Sequence, residues 1–470
     1  MLRPESPVAA RPGPTAADPG PAEVDVAVVG GGASGTLTSI HLMASRAHAL
    51  RVAAYDASGG LGQGLAYSTT DRRHLLNVRS RHMSAFPDIP GDLVEWAERT
   101  GRLSDAQAFL PRRDYAVYLQ ETLDRLRDER FSFRGAQVVD VAPGPDGFEL
   151  STADGARTRA RAVVLALGNQ RPAPLATATG PLPEARWHLG DPWDLDRLTA
   201  LPADATVVLV GTGLTAVDAA ISLLEDAPDR RVVMVSRHGL LPEAHIEQQS
   251  TAWLSPVPSG PVTADALAGL LREQIAAAAR QGVDWRPVVD GLRAPTQGLW
   301  QRLPLEERER FLATYVRDWE VRRHRMAPDV AARLASYRED GRLLVVGGGL
   351  AAVTDHGTRC EVELPGLPDA LFADAVVNCT GPMTDVSRSA DPLVRSLVQR
   401  GVLTPDPLRL GVAATPTGEV LDVSGQVVPG LFVVGPALKG VLWESTAVPE
   451  IRGQAAALAQ RLPELVRAVV

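Results

Sequence analysis

The feature that most constrains this chain is a pair of glycine-rich turns, each running out of an apolar, β-prone run. The first is Gly30-Gly31-Gly32-Ala33-Ser34-Gly35, after Val24-Asp25-Val26-Ala27-Val28-Val29. The second is Gly211-Thr212-Gly213-Leu214-Thr215-Ala216, after Thr206-Val207-Val208-Leu209-Val210. In such a turn the first glycine permits a tight strand-to-helix reversal, and the second lets backbone N–H groups approach a pyrophosphate. The third position, Gly35 or Ala216, lets the helix pack close on the sheet. The helix start then offers unpaired N–H groups and a positive dipole end to phosphate. Apolar stripes at helical spacing come next, with Leu37, Ile40 and Ala44 after one turn and Val217, Ala220, Ile221 and Leu224 after the other. One turn implies one dinucleotide. Two imply a pair held so that electrons pass between them, a flavin dinucleotide and the nicotinamide that reduces it.

The strand downstream of each turn separates the two sites. The run Arg51-Val52-Ala53-Ala54-Tyr55 ends in Asp56, 21 residues past Gly35 (56 − 35), where an acid accepts hydrogen bonds from ribose hydroxyls. The corresponding run Arg231-Val232-Val233-Met234-Val235 ends in Ser236-Arg237, and no acid stands there. A hydroxyl and a guanidinium suit a 2′-phosphate, because arginine binds phosphate through a rigid multi-donor fork. NADPH is the expected reductant. The alternative is an Arg237 solvated at a strand end.

A repeat organises the rest. Segments 135–141, 147–152 and 163–169 read as a β-meander closing near Gly168, punctuated by Pro145-Asp146-Gly147 and Asp154-Gly155. The same grammar returns at 342–346, 359–364 and 375–382, closing near Gly381. A third strand-turn, Gly430-Leu431-Phe432-Val433-Val434-Gly435-Pro436, is followed by a helix from about Val448 to Arg461. The expected fold is α/β, with two Rossmann-like dinucleotide-binding domains carrying β-meanders and a helical insertion. The FAD domain would be discontinuous, 24–200 plus 376–470. The NAD(P) domain, 201–375, would be inserted in it and carry helices over about 261–340, where Thr263 caps a stripe of Leu267, Leu270, Leu271 and Ile275.

Composition narrows the class. Hydrophobic residues at 45% and charged residues at 22% are ordinary for a globular protein. A net charge of −8 and a pI near 5.7 argue against nucleic-acid or anionic-membrane partners. The two cysteines, Cys360 and Cys379, form no CxxC, which speaks against a dithiol–disulfide redox pair and fits a reducing, cytoplasmic compartment. Residues 1–23, rich in proline and alanine, read as a disordered leader without a signal's apolar run. The histidines show no metal-ligand spacing, and no metal is expected.

The chain resembles bacterial FAD/NAD(P)-binding flavoproteins related to flavin-containing and N-hydroxylating monooxygenases. The resemblance lies in 30–35, Gly62-Gln63-Gly64-Leu65-Ala66-Tyr67-Ser68, His74-Leu75-Leu76-Asn77-Val78, Asn378-Cys379-Thr380-Gly381-Pro382 and the run 443–452 from Trp443 through Thr446. It implies cofactor contacts from Gly30, Gly32, Ala33, Ser34, Gly35, Asp56, Gly64, Tyr67, Asn77, Gly168, Gly381, Gly435, Pro436 and Thr446 on the flavin side. Gly211, Gly213, Leu214, Thr215, Ser236 and Arg237 would serve the nicotinamide side. Asn77, followed by Phe86-Pro87-Asp88, resembles the family's segment in which an asparagine contacts both flavin and nicotinamide, and it is the one expected catalytic residue. Its other reading is a turn cap.

The resemblance further implies FAD reduced by NADPH and molecular oxygen activated as an adduct on the reduced ring. A small polar metabolite would be hydroxylated at an amine nitrogen or a heteroaromatic carbon. The cofactor carries the hard step, so no nucleophile–base triad is required. Two alternatives stand beside this reading: a flavin oxidoreductase serving a non-oxygen acceptor, and a flavin-loaded regulatory protein without turnover. Three further features lie outside these motifs. Arg112-Arg113 could reach a phosphate or stay solvated. Phe311, Tyr315 and Trp319 share a helical face and read as packing against the sheet, while the cluster Arg322-Arg323-His324-Arg325, after Arg317, reads as a solvated face, its alternative being a seat for a cofactor phosphate or an anionic substrate.

Overall fold

A computed structural model describes residues 22–45, 49–103, 105–247 and 251–468. Most of the expected leader, residues 1–21, lies outside the described residues, and the first strand already begins at Ala22. That strand, Ala22–Val29, pairs in parallel with Val52–Tyr55 on one side and Arg157–Leu165 on the other. Its apolar run is continuous because both faces are covered. Val26 and Val28 pack with Leu37 and Ile40 of helix Ala33–Ala44, while Ala27 and Val29 join a second cluster with Val141 and Leu150 of the meander. The period of two along a strand divides one hydrophobic run between two cores.

This first sheet has eight strands. The meander Val138–Gly144, Gly147–Thr152 and Arg157–Leu165 closes it, as the turn chemistry predicts. The late strand Val427–Val433 returns to pair in parallel with Arg157–Leu165. The sheet is therefore discontinuous in sequence, and helix Val448–Ala468 packs beside the first helix.

The second sheet has five strands. Thr206–Val210 lies between Arg231–Val235 and Ala375–Asn378, both parallel to it. Leu343–Val346 adds to the outer side of Arg231–Val235, and the short strand His188–Leu189 to that of Ala375–Asn378. Ala352–Asp355, Cys360–Glu363 and Leu371–Ala373 form a separate antiparallel sheet. A division at 375/376 would cut the strand Ala375–Asn378, and one at 200/201 would part His188–Leu189 from its sheet. Hydrogen-bond pairing, not chain order, assigns both strands to the second sheet.

Between Arg231–Val235 and Leu343–Val346 come six helices, from Ala264–Arg280 to Pro328–Glu339. Thr263 caps the first of them, its Oγ1 accepting from the Ala266 N–H at 3.2 Å. Among the described residues no helix is long and apolar enough to cross a membrane.

Candidate functional site

The two glycine turns are built on the same contact. Gly30, at φ +109°, lies against the end of Arg157–Leu165, so a Cβ there would sit 2.2 Å from the Ala166 carbonyl oxygen. Gly211, at φ +126°, lies against the end of Ala375–Asn378, where a Cβ would sit 2.1 Å from the Cys379 oxygen. L-residues rarely adopt such φ values, so glycine is required twice over. In the first turn a Cβ on Gly35 would come within 1.8 Å of the Gly30 oxygen, which explains the third glycine.

Both turns lead into helices with no side-chain cap, at Gly32 before Ala33–Ala44 and at Gly213 before Leu214–Leu224. The first N–H groups of each helix, those of Ala33, Ser34, Leu214 and Thr215 among them, lack intrahelical acceptors. Among the described residues, nothing beyond its own chain neighbours lies within 4 Å of where a Gly213 Cβ would be. The fold itself does not need that glycine, so the bare space suits an incoming pyrophosphate. A dinucleotide fits both cradles.

The first cradle gathers most of the flavin-side residues. Asp56 Oδ2 accepts from the Gly31 N–H at 2.6 Å, and Oδ1 accepts from the Ser58 N–H at 2.8 Å, which fixes the carboxylate beside the turn. The loop after Asp56 folds back: the Gly62 N–H donates to Thr36 Oγ1 at 2.8 Å, and a Cβ on Gly64 would be 3.1 Å from the Gly32 Cα. Gly435, at φ +82°, lies so close to the first helix that a Cβ would be 2.3 Å from Ser34 Oγ. The Gly435 N–H donates to Gln454 Oε1 at 2.8 Å. Tyr67 stands further along, 5.1 Å from the Tyr115 ring, and burial pushes its phenol up to about 12 against the pull of Arg112.

The second cradle holds Ser236 by its hydroxyl. Thr212 Oγ1 donates to Ser236 Oγ at 2.9 Å, and the Gly239 N–H donates to the same oxygen at 3.1 Å. Arg237 is exposed at the strand end. A second guanidinium joins from the insertion, with Arg317 Nη2 donating to Thr212 Oγ1 at 3.0 Å. Burial lowers the Arg317 pKa, and the charge of Arg237 adds to the effect. In the sequence Arg317 groups only with the arginine cluster that follows it, because nothing local connects it to a turn 105 residues earlier.

A cleft opens where the two sheets' closing strands end. Gly168 and Asn169 line it from the first sheet, Pro382 from the second, and Pro436, Lys439 and Thr446 from the C-terminal segment. Ligands of parallel α/β sheets bind beyond the carboxyl ends of the strands, which is where this cleft lies. Gly381, at φ +91°, turns the chain into it just before Pro382.

Asn77 is not in the lining. Its carbonyl accepts from the His245 ring at 3.0 Å, at the seam between the first sheet's loops and the second half. Burial, with Arg325 adding, pushes the His245 pKa down to about 3. His74 is structural in the same seam, bridging Thr69 Oγ1 at 2.7 Å and Ser222 Oγ at 2.8 Å. Arg112 reaches across it to Asp218 at 3.3 Å rather than out to solvent.

The insertion packs as a roof on the C-terminal segment and grips it. Arg323 forks onto Glu444 at 3.1 and 2.9 Å, and Arg293 onto Glu450 at 2.6 and 2.7 Å. Trp300 Nε1 donates to the Gly440 carbonyl at 2.9 Å, and its ring stacks on Trp443 at 4.8 Å. Trp443 has φ +62°, a conformation a bulky residue adopts only when its surroundings enforce it. The arginine cluster is thus not a solvated face, since Arg323 is 7% and Arg325 3% exposed. Their carboxylate partners, Glu444 and Asp290, come from distant or separate elements. The aromatic stripe is also divided: one helix stops at Thr314 and the next starts at Val316, so Phe311 packs on Trp443 at 5.2 Å and not on the sheet.

Paired nucleotide cradles at the strand ends of two parallel sheets define a two-domain flavoprotein fold. Residues 27–170 match the model of a family described as FAD-NAD(P)-binding. No curated protein matches the chain. Among solved structures, the ornithine hydroxylase PvdA of Pseudomonas aeruginosa superposes with a TM-score of 0.64 at 17% identity, over 94% of this chain and 99% of that one. The ornithine N-hydroxylase KtzI of Kutzneria sp. 744, solved with reduced FAD, NADP+ and L-ornithine, gives 0.59 at 15%, over 94% and 99%. The bacillithiol disulfide reductase of Staphylococcus aureus gives 0.54 at 13%, over 93% and 98%. This chain is similar to all three in fold.

Proposed function

We propose that this protein is an FAD-dependent, NADPH-consuming monooxygenase that hydroxylates the amine nitrogen of a small metabolite. The reaction balances as R–NH2 + O2 + NADPH + H+ giving R–NHOH + NADP+ + H2O. The observation that carries the reading is the matched pair of glycine turns, Gly30 against Ala166 and Gly211 against Cys379. The likeness to two ornithine hydroxylases supports the choice of chemistry. Oxygen activation is the chemistry that bound flavin supplies. The chain's own part is to hold the ring and nicotinamide in reach of each other, orient the substrate and exclude water. The first cradle with Asp56, Gly435 and Thr446 takes FAD. Gly211, Gly213, Ser236 and Arg237, joined by Arg317, take NADPH. Asn77 positions the ring edge through its carboxamide, which makes no hydrogen bond to a described side chain.

The reading is tested on purified protein reconstituted with FAD. NADPH is expected to bleach the flavin without oxygen, and air to restore it with consumption of one O2 per NADPH. With an amine substrate present, Asn77→Ala is expected to divert oxygen from the hydroxylated amine to hydrogen peroxide, and a change in thermal midpoint alone would leave Asn77 a turn residue.

A second reading, electron transfer to a non-oxygen acceptor, draws on the fold shared with the disulfide reductase. Cys360 and Cys379 are both buried, and burial pushes the Cys360 thiol up to about 12. Neither presents a reactive thiolate, so such an acceptor would have to be external. Fast reduction by NADPH that only added acceptors reverse would favour this second reading.

A further inference from the structure

Helix Leu214–Leu224 starts at the second nucleotide turn, so its placement carries that cradle with it. Val217, Ala220, Ile221 and Leu224 pack it onto Val207, Leu209 and Val232 of the sheet beneath. Asp218 and Ser222, four residues apart, make a polar stripe along it. Such a stripe ordinarily faces water, yet both residues are buried.

What covers the stripe is a short ribbon from the first half of the chain. Leu75 and Pro111 bridge there in antiparallel fashion. The Leu76 N–H donates to the Leu110 carbonyl and the Arg112 N–H to the His74 carbonyl, each at 2.8 Å. The ribbon thus sets His74 and Arg112 side by side. His74 Nε2 lies 3.0 Å from the Asp218 carbonyl and 2.8 Å from Ser222 Oγ, and Arg112 Nη2 lies 3.3 Å from Asp218 Oδ2. Leu75 and Phe109 of the same ribbon pack against the core of the second half.

With a neutral imidazole the hydrogens around His74 close in one arrangement. The Asp71 carboxylate can only accept, so the Ser222 hydroxyl donates to its Oδ2 at 2.8 Å. Ser222 Oγ is then left to accept from His74 Nε2–H. On the other edge the Asp71 N–H donates to Thr69 Oγ1 at 3.2 Å, and that hydroxyl donates to His74 Nδ1 at 2.7 Å. Apolar contact alone has no preferred direction and tolerates sliding. A ring of directed bonds does not. At the margin Arg73 meets Asp226 at 2.8 Å, but that carboxylate is 76% exposed and the pair adds little.

We infer that His74 and Arg112 are positioning residues for flavin reduction. Through Asp218 and Ser222 they hold the helix, and with it the nicotinamide cradle, in fixed relation to the flavin cradle. The inference rests on the part of the proposed function in which NADPH gives a hydride to oxidised FAD, leaving NADP+ and the reduced FAD anion. Such transfer needs the reacting atoms about 3–3.5 Å apart, and a misplacement of about 1 Å costs on the order of a hundredfold. Neither side chain touches the nucleotide in this reading, so rate and affinity part company.

The test uses the full chain loaded with FAD, in stopped flow without oxygen, with NADPH raised to saturation. His74→Gln, Arg112→Met and Ser222→Ala are each expected to slow the limiting reduction rate about tenfold or more while leaving the Kd for NADPH within about twofold. Arg112→Lys is expected to recover most of the rate, because it keeps the charge facing Asp218. Ser222→Ala removes only an oxygen, and it tests the seam even where loss of a buried charge prevents folding. A second readout needs no turnover. Dithionite-reduced wild-type protein titrated with NADP+ is expected to develop long-wavelength absorption from the nicotinamide facing the reduced ring, and the variants to bind NADP+ with that band weakened. Wild-type flavin that NADPH does not reduce would overturn the proposed function and this inference together. Variants whose limiting rate stays at the wild-type value, or falls only in step with affinity and thermal midpoint, would overturn the inference alone.

Discussion

Arg317 of the helical insertion donates to Thr212 of the second nucleotide turn at 3.0 Å, tying the roof to the cradle beneath it. Burial does most to lower the pKa of that guanidinium, Glu320 opposes this, and the nearby charge of Arg237 adds a smaller push. Two guanidiniums near Ser236, those of Arg237 and Arg317, offer the multi-donor forks that a 2′-phosphate takes. Arg317→Gln is therefore expected to raise KM for NADPH about tenfold while changing KM for NADH much less. Stopped-flow flavin reduction with each nucleotide reads this directly, and equal losses would limit Arg317 to a structural part.

The glycines of the second turn differ in what requires them. Gly211→Ala forces a Cβ onto a backbone oxygen at an unfavourable φ, a strain of roughly 1–3 kcal/mol. It is expected to lower the thermal midpoint as well as NADPH binding. Gly213→Ala meets nothing among the described residues beyond its own chain neighbours. It is expected to keep the midpoint and lose only the nucleotide, which calorimetry and NADPH titration of the same samples distinguish.

The Arg323–Glu444 pair is buried on both sides. Removing one partner strands the other charge, at a cost of about 3–5 kcal/mol. Glu444→Gln and Arg323→Met are each expected to destabilise strongly in denaturant unfolding. The double variant Arg323→Met, Glu444→Met is expected to recover much of the loss, giving a large coupling energy in the cycle.

Burial holds both His245 and His324 at a pKa of about 3, against 6.5 for the free side chain. Below pH 6.5 the unfolded chain takes up protons that the native protein refuses. The stability due to neutral imidazole is thus fully present above 6.5 and is lost as pH falls toward 3. His245→Gln is expected to flatten the fall in that window by at most ~1.4 kcal/mol per pH unit. Denaturant midpoints at pH 8, 6 and 4.5 check the slope.

Much of the nucleotide machinery was legible in local spacing. Strand, glycine turn and helix are contiguous, so Gly30, Gly35, Asp56 and Gly211 could be placed without knowing anything distant. The meander turns and the returning strand before Gly435 were legible for the same reason. The roof was not. Arg323 reads as surface until Glu444, 121 residues later, stands beside it, and Arg317 reads as surface until Thr212 does. The strand Ala375–Asn378 could be recognised as a closing strand, but its sheet is settled only by its partner Thr206–Val210.

The sequence by itself determined two nucleotide cradles, because backbone sterics and helix-end polarity act over a few residues. Only the tertiary structure decided which charges are buried and how the insertion grips the C-terminal segment. Those outcomes depend on desolvation and on partners brought from far along the chain, and no local pattern records them.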